Sequence, residues 1–266
     1  MSVPIIGGSV LGGVPGLPAL VVGPSLGTTV ATLWSPVARR LADSYHVIGW
    51  DLPGHGASPP PREPFTIGEL AAGVIHWVDE TIGAVSFTYA GVSVAGAAGL
   101  QLLLDQRRRL VAAALLCTGA QIGTSADWKS RALTVRRAGT GALREQSAQR
   151  WFAPTFPNRD PVCARTLLDD LEGVDDEGYA QTCAALAEFD VRARLTEIGT
   201  PVLAVAGAND VVTRVDSLRF ISANVRCGQF AEVADAGHLV PVEQPDQIAS
   251  LLTALTKRRT DDRQPL

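Results

Sequence analysis

Ser93 lies in Gly91-Val92-Ser93-Val94-Ala95-Gly96, between a β-branched and aromatic run beginning at Val85 and the small, apolar run Ala97–Leu104. A buried strand that turns sharply through glycine into a buried helix holds the intervening serine on a strained corner. Its hydroxyl then projects from the top of a sheet, where it is a nucleophile for acyl transfer. The flanking glycines are a steric requirement of so tight a turn. Ala95 stands where a second glycine is usual; a methyl is the smallest intrusion, and Gly96 follows at once.

A serine hydroxyl attacks only when a base takes its proton. Four histidines are available. His46 opens an apolar strand, His55 sits in a glycine-rich loop where local hydrogen bonding explains it, and His76 falls on the polar face of a helix with Glu69 and Glu80. His238, in Asp235-Ala236-Gly237-His238-Leu239, follows the last strand pattern and is the expected base. An acid must fix its tautomer and stabilise the imidazolium. Asp210, in Gly207-Ala208-Asn209-Asp210 after the run Pro201–Ala206, is the expected partner. Asp216 and Asp235 compete, the first as a helix residue and the second as too close to His238 in sequence. The tetrahedral intermediate further needs two main-chain donors. The Val94 amide at the start of the elbow helix is one; the Leu26 amide, in the loop Pro24–Thr29, is the other.

These residues need a scaffold of parallel strands whose carboxyl ends meet in one crevice. Ala19–Gly23, His46–Trp50, Val85–Val92, Leu110–Cys117, Pro201–Ala206 and Gln229–Val233 are apolar strand-like runs, and helical patterns such as Thr66–Ile82 alternate with them. Continuous apolar strands imply a mostly parallel sheet with helices on both faces. The rhythm breaks between residues 119 and 195, where helical patterning and Trp128, Trp151, Phe152 and Phe156 occur without a strand. The expected architecture is thus the α/β-hydrolase fold, with a core of residues 1–118 and 196–266 and an inserted helical cap of residues 119–195. Its chain order of nucleophile, acid and base is that of Ser93, Asp210 and His238. The final helix is expected near Gln244–Leu255, and Lys257–Leu266 as a frayed polar tail.

Hydrophobic residues make up 46% of the 266 residues and charged residues 19%, enough for a large core. The net charge of −4 argues against nucleic-acid binding. Cys117, Cys163, Cys183 and Cys227 lack metal-ligand spacing and read as reduced, buried thiols. No Lys or Arg precedes Arg39, and no apolar run is long enough to span a bilayer, so a cytoplasmic protein without membrane partners is expected.

Beyond the fold, Pro24-Ser25-Leu26-Gly27-Thr28, Trp34, Asp51-Leu52-Pro53-Gly54-His55-Gly56-Ala57-Ser58 and the elbow resemble 3-oxoadipate enol-lactone hydrolases. The likeness continues through Ile122-Gly123, Trp128, Arg131, Thr134-Val135-Arg136, Trp151-Phe152, Gly178-Tyr179 and Cys183–Leu186. It ends with Ala206–Asp210, Gly237-His238-Leu239 and Val242-Glu243-Gln244-Pro245. Ala95, Pro24 and a short glycine-rich N-terminus depart from the pattern. The resemblance implies opening of an enol-lactone in aromatic-acid breakdown (the β-ketoadipate pathway). It implies a serine acyl-enzyme and no metal or organic cofactor. It leaves open a homo-oligomer and, because some members are fused to a decarboxylase domain, fusion to or association with a decarboxylase.

The implied small-molecule partner is a carboxylate-bearing lactone. Lys129, Arg131, Arg136, Arg137, Arg144, Arg150, Arg159 and Arg165 crowd one stretch of the cap, opposed there by Asp127, Glu145 and Asp160. An arginine fork suits a carboxylate. Arg131, on the helix face of Trp128, is the expected contact, with Trp128 and Trp151 as pocket walls; solvated helix faces and plain cap packing are the bland alternatives. A carboxylesterase, a carbon–carbon bond hydrolase with the same triad, and a non-catalytic ligand receptor are the competing functions.

Overall fold

The computed structural model describes residues 2–261. Strands and helices follow in the order β1 (Gly8–Gly12), β2 (Ala19–Gly23), α1 (Val30–Leu41), β3 (His46–Trp50), α2 (Ile67–Ile82), β4 (Phe87–Val92), α3 (Val94–Asp105) and β5 (Leu110–Leu116). Helices α4 (Ser125–Ala138), α5 (Arg144–Trp151), α6 (Phe156–Arg159), α7 (Pro161–Glu172) and α8 (Asp176–Ala187) intervene before β6 (Val202–Gly207). Then come α9 (Val215–Asn224), β7 (Gly228–Val233), α10 (Val240–Glu243) and α11 (Pro245–Asp261).

The seven strands form one sheet in the order β1-β3-β2-β4-β5-β6-β7. Only β1 runs antiparallel, pairing with β3 at the edge. The glycine- and proline-rich start of the chain thus supplies an edge strand, where a weak ladder costs least. β3, β4 and β6 are buried along their whole length, as their unbroken apolar sequences require. Side chains such as Leu20, Val22, Tyr89, Val92, Leu115 and Val205 tie the sheet to helices on both faces.

Sequence also dictates where helices begin. Thr66 caps α2 with Glu69 in a reciprocal capping box, and Thr29, Thr124 and Asp175 cap α1, α4 and α8. Between β5 and β6 the described residues contain helices and turns but no strand. The C-terminal helix α11 corrects one expectation: it continues through Asp261 instead of fraying from Lys257. The remainder of that expected tail, residues 262–266, lies outside the described residues. Cys117 and Cys183 are buried thiols, but Cys163 is half-buried and Cys227 exposed. Among the described residues no helix is long and apolar enough to cross a membrane.

Candidate active site

Ser93 joins β4 directly to α3, with φ 56° and ψ −115°. That positive φ in a residue with a Cβ is strain the surroundings must hold. They do so with main-chain bonds: Ser93 N–H donates to the Leu116 carbonyl at 2.9 Å, and Thr118 Oγ1 donates to the Ser93 carbonyl at 2.7 Å. Gly91 has no room for a side chain, since a Cβ there would meet the Ala95 carbonyl at 2.5 Å. The methyl of Ala95, fully buried, fits because its neighbour across the turn is Gly23, where a Cβ would come within 2.6 Å of it. The missing elbow glycine is thus compensated from β2.

Asp210 and His238 follow β6 and β7 and meet as expected, His238 Nδ1 lying 2.9 Å from Asp210 Oδ2. Both are buried. The amides of Val212 and Thr213 donate to Asp210 Oδ1 at 2.7 and 3.0 Å, and Thr213 Oγ1 donates to Oδ2 at 2.7 Å. Burial works against the Asp210 charge, but His238 and these donors outweigh it and hold the carboxyl below its ordinary range. The competing acids are elsewhere: Asp216 sits in the first turn of α9, and Asp235 is held by Arg159 and Thr155.

The His238 loop is fastened on three sides. Its own N–H donates to the Trp151 carbonyl at 2.8 Å, at the end of α5. Glu243, a buried carboxylate, accepts from Gly237 N–H at 3.0 Å and from Ala153 N–H at 2.8 Å. From below, the Cys117 thiol donates to the Gly237 carbonyl. The ligand atoms of Cys117, Asp210 and His238 all lie within 4.8 Å of one another. Burial and the nearby carboxylates push the Cys117 thiol well up, so it is a neutral donor and packing group, not a thiolate ligand for a metal.

Ser93 and His238 open on one cavity of about 710 Å³, which Leu26 also lines. Neither the Leu26 nor the Val94 N–H donates to another protein group among the described residues. The adjacent Gly27 N–H, by contrast, donates to His55 Nε2 at 3.2 Å. His55 Nδ1 is 3.0 Å from the Pro53 carbonyl, which fixes the tautomer with the proton on Nδ1. Burial lowers the His55 pKa to about 4, keeping the ring neutral. Its ring stacks on Tyr179 of α8.

The far wall of the cavity comes from α4, α5 and α8, including Trp128, Arg131, Arg150, Trp151 and Tyr179. Arg131 Nε donates to the Tyr179 hydroxyl at 2.8 Å and Nη1 to Gln146 Oε1 at 3.1 Å. The Trp128 indole N–H donates to the Ile122 carbonyl. Of the residues expected from sequence, Ser93, His238, Leu26, Trp128, Arg131 and Trp151 line this cavity, Asp210 stands behind His238, and Val94 follows Ser93 as the buried first residue of α3.

Comparison with known proteins gives this constellation a lineage. The description "Alpha/beta hydrolase family" matches residues 14–251. The chain is 36% identical to 3-oxoadipate enol-lactonase 2 of Acinetobacter baylyi, over 91% of this chain and 89% of that protein. It is 32% identical to 3-oxoadipate enol-lactonase 1 of the same organism, over 90% and 89%. The chain belongs to the alpha/beta hydrolase family, in its 3-oxoadipate enol-lactonase group. The crystal structure of the enol-lactonase from Burkholderia xenovorans superposes with a TM-score of 0.89 at 28% identity, covering 95% of this chain and 96% of that one. By that membership this hydrolase acts on esters.

His55, Thr213, Cys117 and Glu243 are the supporting residues of this hydrolase that reading the sequence missed. His55 makes the local bond expected of it, to the Pro53 carbonyl, and also a distant one to Gly27 that its sequence surroundings do not announce. Glu243 carries a faint signal, an acid in an otherwise apolar stretch, Leu239–Val242.

Proposed function

We propose that this enzyme opens 3-oxoadipate enol-lactone to 3-oxoadipate through an acyl-enzyme, with Ser93 as nucleophile, His238 as base and Asp210 as its orienting acid. The observation that carries this reading is the buried Asp210–His238 pair opening on one cavity with a strained Ser93, in a chain 36% identical to a named 3-oxoadipate enol-lactonase. His238 Nε2 takes the Ser93 proton as Oγ attacks the lactone carbonyl. The tetrahedral oxyanion accepts from the Leu26 and Val94 amides, both without a protein partner among the described residues. Collapse breaks the ring C–O bond; the enolate leaves, takes the proton from His238 and becomes a ketone. Water then gives its proton to His238, attacks the acyl-enzyme and returns Ser93 with a free carboxylate. Each proton is passed through His238, and one water is consumed in the cycle.

Residues 119–195 act in this reading as a cap over the site. Trp128 and Trp151 are its apolar walls, and Arg131 contributes positive charge beside a carboxylate-bearing substrate. The test is the loss of enol-lactone absorbance, with the substrate generated in situ from its muconolactone precursor and Ser93→Ala run alongside. Turnover by the parent and none by the variant is the expected result. Cleavage of simple aryl esters with the enol-lactone left intact would favour a general carboxylesterase.

A further inference from the structure

Two side chains of α5 that line the cavity, Ser147 and Arg150, have no hydrogen-bond or ion-pair partner among the described residues. The Ser147 hydroxyl is buried, with the residue 1% exposed, and has no hydrogen-bond partner among the described residues. A buried hydroxyl left unbonded is costly, so such an atom marks a place where something else completes it. Arg150 lies one turn further along the same helix face and lines the same cavity. It makes no hydrogen bond or ion pair with another protein group among the described residues.

The other cations of this region are engaged or elsewhere. Lys129 pairs with Glu188, Arg136 with Glu177, Arg144 with Asp169 and Glu172, and Arg159 with Asp235. Arg137 and Arg165 are exposed and do not line the cavity. Arg131 does line it, but two of its donors are committed to Tyr179 and Gln146. Among the described residues, Arg150 alone brings a full guanidinium fork to the cavity with no protein acceptor for it.

We infer that Ser147 and Arg150 form the subsite that holds the substrate's carboxylate, an inference that rests on the enol-lactonase reading above. The Arg150 fork donates to the two carboxylate oxygens, and the Ser147 hydroxyl donates to one of them. Arg131 is then a positioning residue: it fixes the Tyr179 hydroxyl and adds positive potential without direct contact.

The test compares Arg150→Met, Arg150→Lys and Ser147→Ala on two substrates, the carboxylate-bearing enol-lactone and the neutral ester 4-nitrophenyl acetate. A charge-assisted hydrogen-bonded pair supports a loss of roughly 100-fold. Arg150→Met is therefore expected to lower the ratio of kcat/KM, enol-lactone over aryl ester, by about 100-fold, chiefly through KM. Arg150→Lys should recover part of that ratio, and Ser147→Ala should lower it about 10-fold while melting no lower than the parent. Inhibition of aryl-ester cleavage by adipate measures the same subsite without enol-lactone turnover, and should weaken about 100-fold in Arg150→Met. A parent that cleaves the aryl ester but not the enol-lactone overturns the enol-lactonase reading, and adipate inhibition still judges the subsite. A parent insensitive to adipate, or an Arg150→Met variant with the parent's ratio and inhibition, overturns the subsite.

Discussion

Nε2 of His55 accepts the amide hydrogen of Gly27 at 3.2 Å, although 28 residues separate the two in the chain. Gly27 directly follows Leu26, so this bond sets the direction of the loop proposed to hold the oxyanion. His55→Phe keeps an aromatic face for Tyr179 but removes the acceptor, leaving the Gly27 amide buried and unpaired. The expected result is a 10- to 100-fold fall in kcat with little change in KM, together with a stability loss of about 1–3 kcal/mol. Steady-state kinetics and urea unfolding check it, and an unchanged kcat would remove His55 from the positioning of that loop.

The same ring makes stability depend on pH. Its folded pKa of about 4 lies below the ordinary histidine value, so between the two the unfolded chain binds the extra proton. Stability is therefore full above about pH 6.5 and falls as the pH drops towards 4, by about 3 kcal/mol from this residue. Unfolding free energies at pH 7 and pH 4.5 should converge in His55→Phe relative to the parent, and equal slopes in both proteins would refute the assignment.

Asp210→Asn preserves shape but leaves the imidazole without an acceptor on Nδ1. A fall in kcat of about 10⁴-fold is expected, as for other serine hydrolases whose orienting acid is lost. Thr213→Val, which removes one donor to the same carboxylate, should cost far less. A fluorophosphonate probe measures both through its rate of reaction with Ser93, and comparable labelling of Asp210→Asn and the parent would contradict the triad.

Gly23→Ala is expected to destabilise the protein by about 1–3 kcal/mol through overpacking. The new methyl meets both the Ala95 methyl at 2.6 Å and the Trp50 ring at 2.7 Å. Adding Ala95→Gly should restore only part of the loss, since Trp50 remains. Thermal melts of the two single variants and the double variant measure the coupling; full recovery in the double would mean that Ala95 alone opposes position 23.

Much of this was legible in the chain. Ser93, His238 and Asp210 lie in segments where a local pattern, a strand run ending in turn formers, already fixes the environment. The fold followed from the same alternation. What was hidden depends on pairs of residues far apart in sequence. Nothing around His55 announces Gly27, and nothing around Glu243 announces Ala153, because turn and propensity rules describe only neighbours. Arginines posed the same difficulty: many basic residues in one stretch look equivalent until each partner is known. Arg131 then proves to be bound by Tyr179 and Gln146, whereas Arg150 has no such partner among the described residues. The end of α11 escaped for another reason, since polar residues continue a helix as readily as they fray from one.

His238 donates its backbone hydrogen to the carbonyl of Trp151, and Glu243 grips Ala153 just beyond it. The helical insertion is therefore not a detachable module clipped onto a finished catalyst. Excising it would take away the abutment against which the proposed catalytic base is braced, so the remainder is expected to be a disarmed enzyme and not a minimal esterase. Grafts that seek new substrate ranges in this scaffold should vary α4 while carrying the Trp151–Ala153 junction and Tyr179 of α8 across unchanged.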